Sequence, residues 1–289
     1  MSAQIIDGAA IAAEVRQEVA QQARALADRG RPVRLSAILI GSTPAAEMYA
    51  KRQGDACREA NIGYDLLTLP ADSTAAQVTA AIEKLNADPA VTGIMLHMPV
   101  PQHLDATALQ SAIAPIKDVE GVSPANLGWL MHGRALNAPC TAMAAFELAK
   151  STGANLRGAE AVVVGASEIV GTPVALMLSE QRATVTICRS ATRDLAEHCR
   201  RAEVLVVAVG KPRWIGADHI RDGAVVIDVG INRITLPDGK SRTVGDVDFE
   251  AVKDRAGFIT PVPGGVGPMT VAMLLRNTVR SAQAQSPGR

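Results

Sequence analysis

Short apolar runs alternate with helix-compatible stretches along most of this chain. Residues 34–40 are apolar and stop at Gly41, 45–60 suit a helix, and 66–69 form a short apolar strand ending at Pro70. Residues 74–85 read as a helix with Ser73 or Thr74 as its cap. A buried strand over 91–96 is broken at Pro99, and a helix over 105–113 follows. A linking helix is predicted over 141–151, between Pro139 and Gly153. Beyond it the pattern predicts strands at 161–164, 184–188, 204–209 and 224–229, with helices at 169–178 and 195–200. Such repetition predicts an α/β fold with parallel sheets covered on both faces. Gly165, Gly210 and Gly230 end apolar strands, placing permissive backbone at the carboxyl edge, where doubly wound sheets bind ligands. No internal repeat is visible, and 281–289 read as frayed.

The segment Pro261-Val262-Pro263-Gly264-Gly265-Val266-Gly267-Pro268 breaks this alternation. Three prolines and three glycines in eight positions exclude a strand or a helix interior, because proline lacks a donor and glycine leaves the backbone loose. The stretch is uncharged and runs into a helix predicted over 270–278. A bare-backbone loop ending at a helix N-terminus suits close approach of a flat or anionic ligand; it also fits a buried connector.

Length and composition narrow the classes. A chain of 289 residues accommodates two domains, and 48% hydrophobic with 20% charged residues describes a globular protein. Acidic and basic residues balance at 29 each, so no global field draws nucleic acid or an anionic membrane. Aromatics at 2% give little for base stacking. No apolar run approaches the roughly 20 residues of a membrane span, and no signal peptide is visible, so a cytoplasmic location is expected. Cys57, Cys140, Cys188 and Cys199 lack the paired spacing of a zinc site; no metal is expected, and reduced thiols are.

The Pro/Gly segment resembles a signature of the bifunctional methylenetetrahydrofolate dehydrogenase/methenyltetrahydrofolate cyclohydrolase family. So do Gly93-Ile94-Met95-Leu96-His97-Met98-Pro99, Ile116-Lys117-Asp118-Val119-Glu120-Gly121, Val164-Gly165-Ala166-Ser167-Glu168-Ile169-Val170-Gly171 and Val226-Ile227-Asp228-Val229-Gly230-Ile231-Asn232, in the family's order and spacing. The resemblance implies two α/β domains with a cleft between them, the second a Rossmann-like doubly wound sheet. It divides the chain into a folate-binding catalytic domain, 1–140 completed by a C-terminal helix over 268–289, and an NADP-binding domain, 141–267. It further implies a homodimer joined through the nucleotide domains and a tetrahydrofolate one-carbon derivative as substrate.

In the second half, Gly165–Gly171 follows an apolar run and opens a helix, the context a phosphate-cradling turn requires. Its spacing is Gly-x-Ser-x-x-x-Gly, matching the family's variant of the dinucleotide turn. The next strand ends in Cys188-Arg189-Ser190, with Arg193 nearby. A cation and a hydroxyl there, in place of an acid, favour a 2′-phosphate and hence NADP over NAD; a solvated strand-end arginine is the plainer alternative. By resemblance, Thr141, Gly165, Ala166, Ser167, Ile169, Arg189, Ser190, Gly210, Gly230 and Ile231 form the cofactor side. Pro263, Gly264 and Gly265 fall on the substrate side.

In the first half, family members carry a tyrosine and, four residues on, a lysine; an i, i+4 pair shares one helical face. The tyrosine packs on the folate rings and the lysine assists water attack on the one-carbon bridge. This chain has Tyr49 and, at the lysine position, Gln53. Lys51 points elsewhere, and Arg52 is a poor substitute because its proton is not readily released. The family's strand-end glutamine is His97 here, and its pterin-contacting aspartate is Glu120. A carboxamide is neither acid nor base near pH 7, so hydrolysis is expected to be lost or much reduced, whereas hydride transfer chiefly needs two rings held face to face. His97, with an ordinary pKa of about 6.5, could instead pair with Glu120 and activate water. An oxidoreductase of another cyclic amine or imine, and a non-catalytic folate- or nucleotide-binding paralogue, remain open readings, since fold alone does not establish chemistry.

Overall fold

A computed structural model of the chain describes residues 2–235 and 239–285. The first elements are β1 (Gln4–Ile5), α1 (Gly8–Ala27), β2 (Arg34–Ile40), α2 (Pro44–Glu59), β3 (Gly63–Leu69), α3 (Ala75–Ala87) and β4 (Gly93–Leu96). Next come α4 (Ala106–Ala112), α5 (Pro124–Met131), α6 (Cys140–Ser151), β5 (Glu160–Val164), α7 (Gly171–Glu180), β6 (Thr184–Cys188), α8 (Leu195–Arg200) and β7 (Val204–Val207). The remainder is β8 (Val225–Asp228), β9 (Asn232–Thr235), β10 (Ser241–Val244), α9 (Phe249–Val252), β11 (Phe258–Ile259) and α10 (Val266–Ala284). Among the described residues no helix is long and apolar enough to cross a membrane.

Two compact units result. One comprises residues through Ala12 and Thr141–Thr270; the other comprises Ala13–Cys140 and the chain from Val271. The expected division at 140/141 and 267/268 differs from this at two joins. Residues through Ala12 cluster with the second half, where β1 pairs in parallel with β11 at the edge of its sheet. The terminal helix divides after Thr270, and residues 286–289 of the expected 268–289 segment lie outside the described residues. Fraying from Ser281 is also corrected. Ser281–Ala284 continue α10, and the buried Ser281 hydroxyl accepts from Asn137 Nδ2 at 2.8 Å.

The smaller sheet has the order β3-β2-β4, all parallel. Central β2 is buried after Arg34, whereas β3 is an exposed edge. Alternation along β4 sends Ile94 and Leu96 into a core with Val78 and Ile82 of α3 and Leu109 of α4, and turns Met95 and His97 to the opposite face, under α2. A reciprocal capping box between Thr74 and Gln77 starts α3. Its far end is closed by Lys117, whose Nζ donates to the carbonyls of Leu85, Asn86 and Asp88 at 2.7–3.0 Å.

The larger sheet runs β1-β11-β8-β7-β5-β6 in parallel throughout. Strand order reverses at β5, flanked by β6 and β7, so a ligand crevice lies beyond their carboxyl ends. Gly165 occupies that edge at φ +112°, and a Cβ there would lie 2.1 Å from the Ala208 carbonyl oxygen. The helix predicted from Ile169 begins at Gly171 instead. Gly171 must first come back against Gly165, where a Cβ would sit 2.0 Å from the Gly165 carbonyl oxygen, and this lengthens the turn.

Candidate functional site

In the smaller-sheet unit the expected residues converge on one face. Helix α2 carries Tyr49 and Gln53, and the end of β4 presents His97. The Tyr49 ring is 52% exposed and meets the His97 imidazole edge to face, with centroids 5.8 Å apart at 85°. Gln53 is turned inward, 5% exposed, and its Nε2 donates to Met95 Sδ at 2.8 Å. Tyr64 of β3, absent from the sequence-based set, sends its hydroxyl between the two, 3.3 Å from Gln53 Oε1 and 3.5 Å from His97 Nε2. Its only advance signal is the aromatic at an otherwise exposed edge strand.

His97 is buried, its backbone amide tied to the Ile38 carbonyl, and burial lowers the imidazole pKa below its usual range, favouring the neutral ring. The alternative pairing of His97 with Glu120 is not seen: among the described residues no hydrogen bond or ion pair joins them, and His97 faces Tyr64. Burial first, and the neighbouring Asp118 charge second, push the Glu120 carboxyl up to about 8. Burial, then the Glu120 and Cys140 charges, raise the Tyr49 hydroxyl, so Tyr49 and Glu120 sense one another. Asp118 is structural: its carboxylate accepts from the amides of Gly121 and Ser123 and from Asn126 Nδ2, shaping the loop that carries Glu120.

Among the described residues no ammonium lies beside Gln53. Lys51 and Arg52 are exposed, and Lys117 is engaged by three carbonyls at the end of α3.

Glu120 gives a pH test. Its folded pKa lies above the unfolded value of about 4.3, so the stability it adds is complete below that value and is lost as pH rises through about 8. Thermal melts between pH 5 and 8 are expected to decline more steeply for the parent chain than for Glu120→Gln, and to run parallel above that; parallel curves between pH 5 and 8 would contradict the shift.

The larger-sheet unit holds two cavities around the expected cofactor residues. One, of about 360 Å³, is lined by Gly165, Ala166, Arg189, Ser190, Lys211 and Trp214 among others. Lys211 Nζ lies 4.7 Å from the Trp214 ring centroid. The start of α7 has no side-chain cap on Val170; Ser167 Oγ reaches only the Gly171 amide, at 3.4 Å. The other cavity, of about 80 Å³, brings Gly230 and Ile231 against Pro263, Gly264 and Gly265. Gly210 lies between residues of the larger cavity, whereas Thr141 and Ile169 line neither. The Pro/Gly loop enters α10 at Val266, four residues before the predicted start, since Pro268 falls in the first turn, where its missing donor costs nothing.

Two buried carboxylates that sequence reasoning missed hold these loops. Asp228 accepts from the amides of Gly230, Asp246 and Val247 at 2.9–3.0 Å. Asp246 accepts from Val209 and Gly210 at 2.6 and 2.9 Å, and from Asn232 Nδ2 at 2.8 Å. The close approach of Gly245, where a Cβ would lie 1.7 Å from Asp228 Oδ2, is the packing requirement behind the Gly245-Asp246 pair.

Comparison with known proteins agrees with both halves. The profile of the tetrahydrofolate dehydrogenase/cyclohydrolase catalytic domain matches residues 6–120, and that of its NAD(P)-binding domain matches residues 139–286. The chain belongs to the tetrahydrofolate dehydrogenase/cyclohydrolase family. It is 49% identical to the bifunctional protein FolD of Moorella thermoacetica over 98% of this chain and 100% of that one. Identity to the Bordetella avium FolD is 50%, over 98% of each. The solved FolD of Campylobacter jejuni superposes with a TM-score of 0.93 at 39% identity, covering 99% of this chain and 100% of that one. The FolD of Trypanosoma brucei, solved with NADP cofactor and inhibitor, gives 0.92 at 36% identity, covering all of both chains. Within this family the larger-sheet unit corresponds to the NAD(P)-binding profile, and the face bearing Tyr49, Gln53 and His97 falls in the catalytic-domain profile.

Proposed function

We propose that this chain is an NADP-dependent methylenetetrahydrofolate dehydrogenase whose methenyltetrahydrofolate cyclohydrolase activity is lost or much reduced. The observation that carries the reading is Gln53: where the resemblance would place a lysine, it points inward and is hydrogen-bonded there, with no ammonium beside it among the described residues. Hydrolysis of the methenyl bridge needs water activated and a proton moved, which a carboxamide cannot do near neutral pH.

Oxidation makes lighter demands on the protein. Bound NADP would supply the hydride acceptor, and the nitrogen lone pair beside the methylene carbon drives hydride departure without a protein base. The half-exposed Tyr49 ring offers a stacking surface for a flat substrate, and Glu120 offers a carboxyl for an amino edge. The residues of the larger-sheet unit suit a dinucleotide. Gly165 and Gly171 leave room for close backbone approach, the α7 amides face an uncapped turn, and Arg189, Ser190 and Lys211 supply a cationic, hydroxyl-bearing wall for a 2′-phosphate. Thr141, Ile169, Gly210, Gly230 and Ile231 remain in the proposed cofactor set, and Pro263, Gly264 and Gly265 in the proposed substrate set. A homodimer and a cytoplasmic location belong to the same proposal; light scattering checks the first.

Purified protein with methylenetetrahydrofolate and either NADP or NAD tests the reading, following reduced cofactor and methenyl product together. Accumulating methenyl product with preference for NADP is expected, and Arg189→Ala is expected to raise the KM for NADP about tenfold while leaving that for NAD unchanged, one charge-assisted contact being lost. Rapid conversion to the formyl product would contradict the loss of hydrolysis; no reaction with either cofactor would sink the dehydrogenase itself.

A further inference from the structure

We infer that Tyr64 is a positioning residue of this site: its hydroxyl accepts from His97 Nε2–H and donates to Gln53 Oε1, holding the imidazole as one tautomer with Nδ1 unprotonated. Its catalytic consequence rests on the dehydrogenase reading above; the hydrogen-bond chain stands without it.

The direction of the chain follows from donor and acceptor inventory. Gln53 Nε2 is directed at Met95 Sδ, which leaves Oε1, an acceptor only, toward the phenol. Reversing the amide would set Oε1 against the sulfur and leave it without a donor. Tyr64 has one proton. Spent on His97 Nε2, it would strand the buried Gln53 oxygen, a loss costing more than a hydrogen bond contributes. Spent on Gln53, it leaves a lone pair on Oη for His97 Nε2–H, and both the Gln53 oxygen and the His97 Nε2–H are satisfied. Burial also keeps both partners neutral, raising the Tyr64 hydroxyl and lowering the His97 imidazole.

A second observation points the same way. Gly54 lies in the interior of α2, where glycine costs about 1 kcal/mol relative to alanine. A Cβ at that position would lie 2.9 Å from Tyr64 Cδ1. The helix therefore gives up a side chain next to Gln53 and admits the Tyr64 ring. Through the phenol, Gln53 on α2 and His97 after β4 are tied together, and His97 in turn supports the edge-on Tyr49 ring.

Long-range proton–nitrogen NMR on the intact protein at pH 8 tests this, with the His97 signals assigned by their absence in His97→Asn. The parent chain is expected to show a protonated Nε2 and an unprotonated Nδ1. Tyr64→Phe is expected to lose that single tautomer and to lower dehydrogenase kcat about tenfold with the KM for NADP unchanged. A proton on Nδ1 in the parent chain overturns the inference, and so does a Tyr64→Phe protein that keeps either its tautomer or its kcat. Should that variant not fold, the parent spectrum decides alone. A parent chain that reduces no NADP sinks the dehydrogenase reading, while the spectrum still decides the hydrogen-bond chain.

Discussion

Replacing Gln53 with lysine is expected to raise hydrolysis of methenyltetrahydrofolate by about 10²–10⁴-fold over the parent chain, the usual worth of a positioned proton carrier. The new ammonium would enter a site whose partners, the half-buried Tyr64 and the buried His97, are neutral, so nothing there holds it permanently charged. A lysine desolvated in such surroundings titrates nearer neutrality and exchanges its proton more readily than one in water. The side chain it replaces is already turned inward, so no new rotamer path through the core is required. Loss of methenyl absorbance, measured with and without NADP, reads the outcome. A folded Gln53→Lys protein with unchanged hydrolysis would show that Tyr64, His97 and Glu120 have remodelled the pocket beyond the proton carrier, and the account of the lost activity would fall.

The second large effect concerns the nucleotide turn. Gly171→Ala is expected to weaken NADP binding by more than 100-fold, about 2.7 kcal/mol or more. Its Cβ would stand 2.0 Å from the Gly165 carbonyl oxygen and 2.6 Å from the carbon, both backbone atoms that no rotamer change can move. The turn must open, carrying away the α7 amides and the close approach that Gly165 permits. Trp214 lines the adjoining cavity, so quenching of its fluorescence on titration with NADP measures the loss. Gly128→Ala is the control. It lies within α5 with nothing inside 4 Å of its Cβ, and alanine there is expected to leave binding unchanged while stabilising the helix slightly. Equal effects from the two substitutions would mean that generic destabilisation, and not the turn, governs binding.

Strands with dense apolar runs, such as β2 and β5, and helices with a polar cap, such as α3, were legible within a few residues because their signals are local. Helix α1 was not. Two of the five residues in its buried stripe, Ala12, Val15, Val19, Ala23 and Leu26, are alanine in a chain rich in alanine, so its period has little contrast. The short strands β1 and β11, two residues each, are defined by long-range pairing, β1 with β11 and β11 with β8. The antiparallel pair β9–β10 has half its positions exposed and carries no apolar run.

By itself the sequence determined the family, the α/β class and the glycine turn, because each is a matter of residue identity at a fixed spacing; the proposal for Gln53 starts from the same kind of signal. Which way Gln53 points, which partner His97 chooses, and that Lys117 serves a helix end were decided only by tertiary structure. Tyr64 joins residues 11 and 33 positions away because parallel strands and a helix laid over them bring one face together, and no local pattern records that meeting. Asp228 and Asp246 likewise gain their role from loops that fold back onto them, since a buried carboxylate takes its meaning from the amides it finds.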